Sequence, residues 1–168
     1  MDRTDIGQRT ITLRPADQAD VSAVVAMVRE LAEYEKLGVE LGLTEAGLER
    51  YVFGDRPAAE VVLAEVDGAL AGFALFSTSF STLIGTPVMY LDDLYVRPAY
   101  RGMGLGRSLL SHLARLTLER GYGRLDWYVL NWNEPAIAFY KNLGARHMTD
   151  WSMFQIKGEA LARLAERG

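Results

Sequence analysis

Apolar positions recur along this chain with two different periods, and the changes of period mark the elements. Over 10–13 apolar and polar residues alternate, which predicts a short strand stopped by Arg14-Pro15. Val21, Val24, Val25, Val28, Leu31 and Ala32 then recur at three- and four-residue steps, the spacing of a helix with one buried face. Asp17 or Asp20 stands where that helix needs a cap. Thr44, with Gly47 and Leu48 behind it, opens a second short helix to about Phe53, and Gly54-Asp55-Arg56-Pro57 is a turn. Strands are predicted over 60–65 and 70–77, joined at Val66-Asp67-Gly68, an Asp-Gly hairpin signal. The stretch 78–86 reads as a polar, mobile loop.

A β-branched and aromatic run from Val88 to Val96, bounded by Pro87 and Pro98, predicts the central strand. Leu105, Leu109, Leu113 and Leu116 stack on one face of a helix that ends at Gly121. His112 lies beside that stripe and reads as a partly buried structural histidine. A further strand is predicted over 124–130. Asn133 is placed to cap a helix with Pro135 in its first turn and Gly144 at its end. A hairpin over 146–149 and 152–157 and a helix over 159–166, whose Leu161 and Leu164 need a neighbour, complete the pattern. Alternation of α and β elements predicts one α/β domain over 1–168: a core at about 10–157 built on a central mixed sheet with helices on both faces, then a C-terminal helix over 158–168.

Composition narrows the chemistry. With 168 residues, 49% hydrophobic and 24% charged, the chain is long enough to bury a single core. A formal net charge of −4 without any basic run argues against a nucleic-acid partner and mildly favours a cationic one. The absence of cysteine excludes disulfides and thiolate chemistry, and two histidines make a histidine metal site or triad an unlikely design, so no metal is expected. The N-terminal residues lack the apolar core of a signal peptide, and no run reaches the roughly 18 apolar residues of a membrane span. A cytoplasmic protein is expected.

The densest chemical signal follows the central strand. Gly102, Gly104 and Gly106 alternate between Arg101 and Arg107 ahead of a helical pattern. Without Cβ atoms, backbone N–H groups can turn toward an anion, and the helix start adds unpaired N–H groups and the positive dipole end. The same run can serve merely as a turn that packs strand on helix. A P-loop is excluded because the run ends Gly106-Arg107-Ser108 without the lysine, and the dinucleotide spacing G-x-G-x-x-G is absent. Asp126 lies at about the distance of a ribose-binding acid, but it opens the next predicted strand instead of closing it.

Arg101-Gly102-Met103-Gly104-Leu105-Gly106 resembles the R/Q-x-x-G-x-G/A loop of the GCN5-related N-acetyltransferases (GNAT). Leu31-Ala32-Glu33-Tyr34-Glu35, Gly72-Phe73-Ala74, Tyr90-Leu91-Asp92-Asp93 and Trp132-Asn133-Glu134-Pro135 through Phe139-Tyr140-Lys141 resemble the spermidine/spermine (diamine) acetyltransferase branch, in the same order, from about 11 to 157. The resemblance implies a twisted sheet splayed at its central strand, with acetyl-CoA as cosubstrate. The backbone of Leu94, Tyr95 and Val96 would hold the pantetheine arm and thioester, the loop Arg101, Gly102, Met103, Gly104, Leu105, Gly106 and Arg107 the pyrophosphate. Asn133 and Ala136 would touch the same cosubstrate. Tyr140, whose phenol is protonated at neutral pH, would be the general acid; on helical spacing alone it reads as a core aromatic beside Ala136 and Leu143.

Asp92 takes the place of the family's substrate-binding glutamate base, one methylene shorter. Asp93 reads either as a substrate ligand or as a structural acid. As neighbours on a regular strand, the two are expected on opposite faces. Tyr34 and Glu35 occupy the positions that border the amine channel, although Glu30, Glu33 and Glu35 can also be an exposed, solvated helix face. Near the C-terminus the polyamine enzymes carry an acidic pair where this chain has only Thr149-Asp150-Trp151. A shorter diamine or a thialysine-like amino acid is therefore as well supported as a long polyamine. The leading expectation is a homodimeric acetyltransferase acting on a small amine. The alternatives are an acetyltransferase of protein or peptide amines and a catalytically silent acetyl-CoA-binding regulator, the latter having no use for Tyr140 and Asp92.

Overall fold

A computed structural model describes residues 1–6, 9–36, 38 and 41–166. The chain divides into two compact units, Met1–Tyr128 and Val129–Gly168. The first is built on a sheet of six strands in sequence order: β1 (Asp2–Ile6), β2 (Arg9–Pro15), β3 (Glu60–Val66), β4 (Ala69–Ser81), β5 (Thr86–Val96) and β6 (Leu125–Trp127). The first four pairings are antiparallel and the β5–β6 pairing is parallel. The expected mixed α/β architecture is what the chain forms.

One face of the sheet is covered by α1 (Val21–Glu35) and α2 (Glu45–Val52). Val24, Val25, Met27, Leu31 and Leu48 meet Val61, Leu63, Phe73 and Tyr95 in one buried cluster. Removing each such aliphatic side chain from water contributes about 1.5–3 kcal/mol. The other face carries α3 (Leu105–Glu119), with Leu105, Leu109 and Leu113 buried. On that side Thr117 Oγ1 reaches the sulfur of Met89 at 3.3 Å, and the Arg120 guanidinium lies over the ring of Phe76. His112 is half-buried on α3.

Caps follow the side-chain chemistry. Asp17 accepts from the Ala19 N–H and closes a capping box with Asp20 over a 3-10 turn. Asp20 leads α1 without capping it, because Arg14 holds its carboxylate at 2.7 and 2.9 Å. Thr44 caps α2 through the Gly47 N–H.

Several sequence expectations are corrected. β1 was unannounced, because an edge strand can form through backbone pairing alone and its sequence need not alternate. The stretch 78–86 is mostly strand: β4 runs to Ser81 and β5 begins at Thr86, so the two form a long hairpin closed by a four-residue turn. Polar side chains are tolerated there because backbone bonds make the ribbon. The strand predicted over 124–130 shrinks to Leu125–Trp127. In the second unit, α4 (Glu134–Asn142) and α5 (Gly158–Ala165) form as expected, but 146–149 and 152–157 are not strands. Neither segment alternates cleanly, since Met153 and Phe154 are adjacent, and no strand pairing holds either among the described residues.

Candidate active site

The central strand β5 changes character in its middle. From Met89 to Leu91 it is paired on both sides: Phe76 faces Leu91 across β4, and Met89, Tyr90 and Leu91 pair with Leu125, Asp126 and Trp127 of β6. β6 then ends, and from Leu94 to Val96 β4 is the one strand partner among the described residues. Within that stretch the ladder phase is set by the Arg97 N–H, which donates to the Ala71 carbonyl at 2.9 Å. Antiparallel pairs alternate between bonded and non-bonded. With Gly72 opposite Val96, Phe73 opposite Tyr95 and Ala74 opposite Leu94, the backbone of Tyr95 therefore turns to β4. The N–H groups of Leu94 and Val96 turn the other way, to the open edge. Of the three residues expected to offer backbone to a ligand, Leu94 and Val96 turn their N–H groups to the open edge and Tyr95 is spent on the ladder. β4 runs so close there that a Cβ on Gly72 would collide with the Tyr95 carbonyl oxygen.

Between the two halves sits a β-bulge. Leu75 pairs with Asp93 and Phe76 with Leu91, which leaves Asp92 as the extra residue of β5. The bulge resets the face that each side chain takes. Ser77, two residues on from Leu75, stands on the same face of β4, and its hydroxyl donates to Asp92 Oδ2 at 3.0 Å. Asp93, paired with Leu75, is on that face as well. The expectation that Asp92 and Asp93 point to opposite sides is thus overturned. An inserted residue cancels the alternation, and no local sequence signal announces it.

That shared face is the one covered by α1, whose last residue is Glu35. Burial and then the charges of Asp92 and Glu35 push the Asp93 carboxyl up to about 6. Burial also raises Asp92, against the Ser77 hydrogen bond that lowers it, and raises Glu35. Asp93 is the centre of this group and feels both other charges, whereas Asp92 is exposed and Glu35 half-buried. Tyr90 is raised to about 12 by burial first and then by Tyr128 and the charges of Asp92, Asp126 and Asp93; its ring meets that of Tyr128 edge-on at 5.7 Å.

Glu30 does not belong to this acid group or to a solvated face. Arg97 grips it with Nε and Nη2 at 2.8–3.2 Å while Nη1 donates to the Leu70 carbonyl. This clamp holds Glu30 below the usual carboxylate range and fixes α1 on the end of β5. Glu33 is exposed and Glu35 half-buried. Sequence reading missed Ser77 and Arg97; a serine in a strand and an arginine before proline carry no signal until their partners are placed.

Beyond β5, Pro98–Tyr100 make a 3-10 turn, and Gly102 (φ 79°) and Gly104 (φ 84°) lie in the left-handed region that side chains disfavour. Gly104 is the N-cap of α3, and the first N–H bonded into the helix is that of Ser108, to the Gly104 carbonyl at 2.9 Å. The N–H groups of Leu105, Gly106 and Arg107 precede it, as at any helix start. Among the described residues, nothing beyond the chain neighbours lies within 4 Å of where a Cβ would stand on Gly102 or Gly104, so the loop is open there. Met103 sulfur accepts from Arg9 at 3.8 Å. Arg101 turns back on the fold: Nε donates to the Val96 carbonyl at 3.0 Å, and the guanidinium lies 4.7 Å above the ring of Tyr34. These features fit a pyrophosphate followed by an extended arm: a cradle of unpaired amides, then a strand edge with two amides to spare.

In the second unit, Asn133 is buried; its Oδ1 accepts from the Ala136 N–H at 3.3 Å and caps α4, with Pro135 in the first turn. Tyr140 is half-buried two turns on, its ring 5.4 Å from that of Phe139.

Comparison with known proteins agrees with this geometry. The model of the acetyltransferase (GNAT) family matches residues 26–145. A thialysine N-epsilon-acetyltransferase of Sus scrofa is 35% identical over 93% of this chain and 98% of its own. A human spermidine/spermine N(1)-acetyltransferase-like protein 1 is 31% identical over 91% of this chain, which spans 23% of that longer protein. Among solved structures, an integron cassette protein of V. cholerae superimposes with a TM-score of 0.77 at 26% identity, over 93% of this chain and 98% of that one.

Proposed function

This chain belongs to the acetyltransferase (GNAT) family and is an N-acetyltransferase, and from that premise we propose that it acetylates a primary amine of a small cationic molecule, a diamine or a lysine-like amino acid. The observation that carries the reading is the convergence of Asp92, Asp93 and Glu35 on one face beside the open half of β5. An ammonium group gains there what the carboxylates lack, a compensating charge in a poorly solvated place. The near-full-length similarity to thialysine acetyltransferases supports an amino acid bearing a distal amine, and the likeness to a spermidine/spermine acetyltransferase-like protein supports diamines. The short 149–151 connection speaks against a long polyamine.

Acetyl-CoA supplies the acetyl group as a thioester, and the chain's own residues supply the rest. The loop amides from Gly102 to Arg107, with Arg101, hold the diphosphate. Asn133 and Ala136 at the start of α4 border the same cosubstrate. The N–H groups of Leu94 and Val96 are free to hold the pantetheine arm and to donate to the carbonyl oxygen as charge develops on it, a donor role worth on the order of 3 kcal/mol in rate. Asp92 takes a proton from the ammonium, directly or through water; partial desolvation raises its carboxyl against the Ser77 hydrogen bond, which makes it a somewhat stronger base. Tyr34 and Glu35 line the amine's approach, and the Tyr140 hydroxyl holds the proton needed by the leaving sulfur. The protein acts as a cytoplasmic homodimer in this proposal; exposed Trp151, Met153 and Phe154 supply apolar surface for pairing.

Release of coenzyme A thiol, measured across diamines, polyamines, lysine analogues and peptides, tests the proposal. Small diamines or lysine analogues should give the highest kcat/KM. A preference for peptide amines, or no release with any amine, would overturn it.

A further inference from the structure

Tyr34 has neighbours belonging to two different subsites. The next residue in the chain, Glu35, is a member of the acid group on the amine side. Its ring, in contrast, lies under the Arg101 guanidinium at 4.7 Å, a distance at which a cation is attracted to the face of a phenol. Arg101 opens the glycine loop, and its Nε is tied at 3.0 Å to the carbonyl of Val96, the last residue of the open edge of β5. An arginine held on one face by a ring and at Nε by a carbonyl has lost much of its rotamer freedom before any ligand arrives. Its Nη groups, the ones suited to gripping a phosphate in parallel, are thereby carried by a guanidinium whose orientation is already set.

We propose that Tyr34 is a positioning residue for Arg101: the ring holds the guanidinium ready for the coenzyme diphosphate, so a residue at the amine end of α1 sets affinity for the cosubstrate. The inference rests on the reading of the Arg101–Arg107 loop as the diphosphate site. It assigns to the tyrosine ring a role separate from any contact of its hydroxyl with the amine.

The two roles separate by substitution. Tyr34 is 39% exposed near the C-terminus of its helix, where leucine and phenylalanine are both compatible with the backbone. Calorimetric titration of coenzyme A should show affinity about fivefold weaker for Tyr34→Leu, in keeping with a partly exposed cation–π contact, and within twofold of the original for Tyr34→Phe, which keeps the ring. In an Arg101→Gln background the leucine substitution should have no further effect, whereas a general disturbance of α1 would weaken binding there too. The amine KM, measured at saturating acetyl-CoA, should move alike in Tyr34→Leu and Tyr34→Phe, since both lose the hydroxyl at the amine's approach, so only the coenzyme A affinity separates the two variants. Unchanged coenzyme A affinity in Tyr34→Leu, or an equal loss in Tyr34→Phe, overturns the inference alone. Failure of the unsubstituted protein to bind coenzyme A overturns the loop reading and this inference with it.

Discussion

From Met89 to Leu91, β5 is paired on both sides, to β4 and to β6; from Leu94 to Val96 it is paired to β4 alone. The first half is interior: Val88, Met89 and Leu91 are buried, and their backbone groups are spent on neighbours. The second half has the same composition of aromatic and branched residues but keeps two amides unpaired, and the bulge at Asp92 stands at the change. A sheet can thus place polar backbone beside a polar cluster without a loop, by ending one neighbour early. The cost of unpaired amides in a partly buried place is what a bound ligand can offset.

The largest test of this contrast lies outside β5. Tyr140→Phe removes the proton donor proposed to serve the open half while keeping ring volume, and should lower kcat and kcat/KM by roughly 10²–10⁴-fold with coenzyme A affinity unchanged. Near-normal turnover, with chemistry limiting the rate, would return Tyr140 to a packing role. Backbone esters come next. Replacing the Leu94 amide by an ester removes an N–H that β4 does not use, so turnover should fall by about 10²-fold at unchanged Tm. The same replacement at Tyr95 removes a ladder donor and should cost about 1 kcal/mol of stability, with a smaller effect on turnover. Equal outcomes at the two positions would abolish the distinction between edges.

Gly106→Ala is subtler. Gly106 is inside the first turn of α3 with ordinary helical backbone, so alanine should stabilise the helix by up to about 1 kcal/mol. If the loop cradles a diphosphate, the added methyl should still weaken coenzyme A binding, by about tenfold in calorimetry. Gly104 is a poorer probe than the sequence alone implies, because its φ of 84° makes any side chain strained there whatever binds.

The smallest effect expected is in pH dependence. Asp93 has a folded pKa of about 6, above its ordinary value, so the folded state holds its proton more tightly than the unfolded chain. Its contribution to stability is most favourable at low pH and is lost as pH rises from about 4 through 6. Asp93→Asn should therefore raise Tm by a few degrees at pH 8 and by nothing near pH 4. Amine affinity of the original protein should weaken as pH falls through 6, while coenzyme A affinity holds. A Tm gain that is independent of pH would mean that packing, and not charge, distinguishes the two side chains.

How much of this was legible beforehand differs by scale. Helices α1 to α5 were readable because each carries a helical apolar period or a cap: Thr44 and Asn133 were found from the residue type alone and do cap. The glycine loop was readable because alternating glycines ahead of a helix have few other uses. The hairpin over 78–86 was not, since backbone pairing holds it and its side chains are largely exposed. The strands expected over 146–157 were misread for the converse reason. Residue type reports only that a segment can extend, and pairing needs a partner in space.

The sequence by itself determined the family, the α/β alternation and the chemical types of the candidate residues: carboxylates, alternating glycines, a phenol. Those depend on residue identity and short spacing, which the chain states directly. Only the tertiary structure decided which face Asp92 and Asp93 take, which of Leu94, Tyr95 and Val96 has an amide to spare, and that Arg101 lies on Tyr34. A single bulge reverses side-chain parity, a ladder's phase is set by the neighbouring strand, and residues 67 positions apart in the chain meet only when the sheet brings them together.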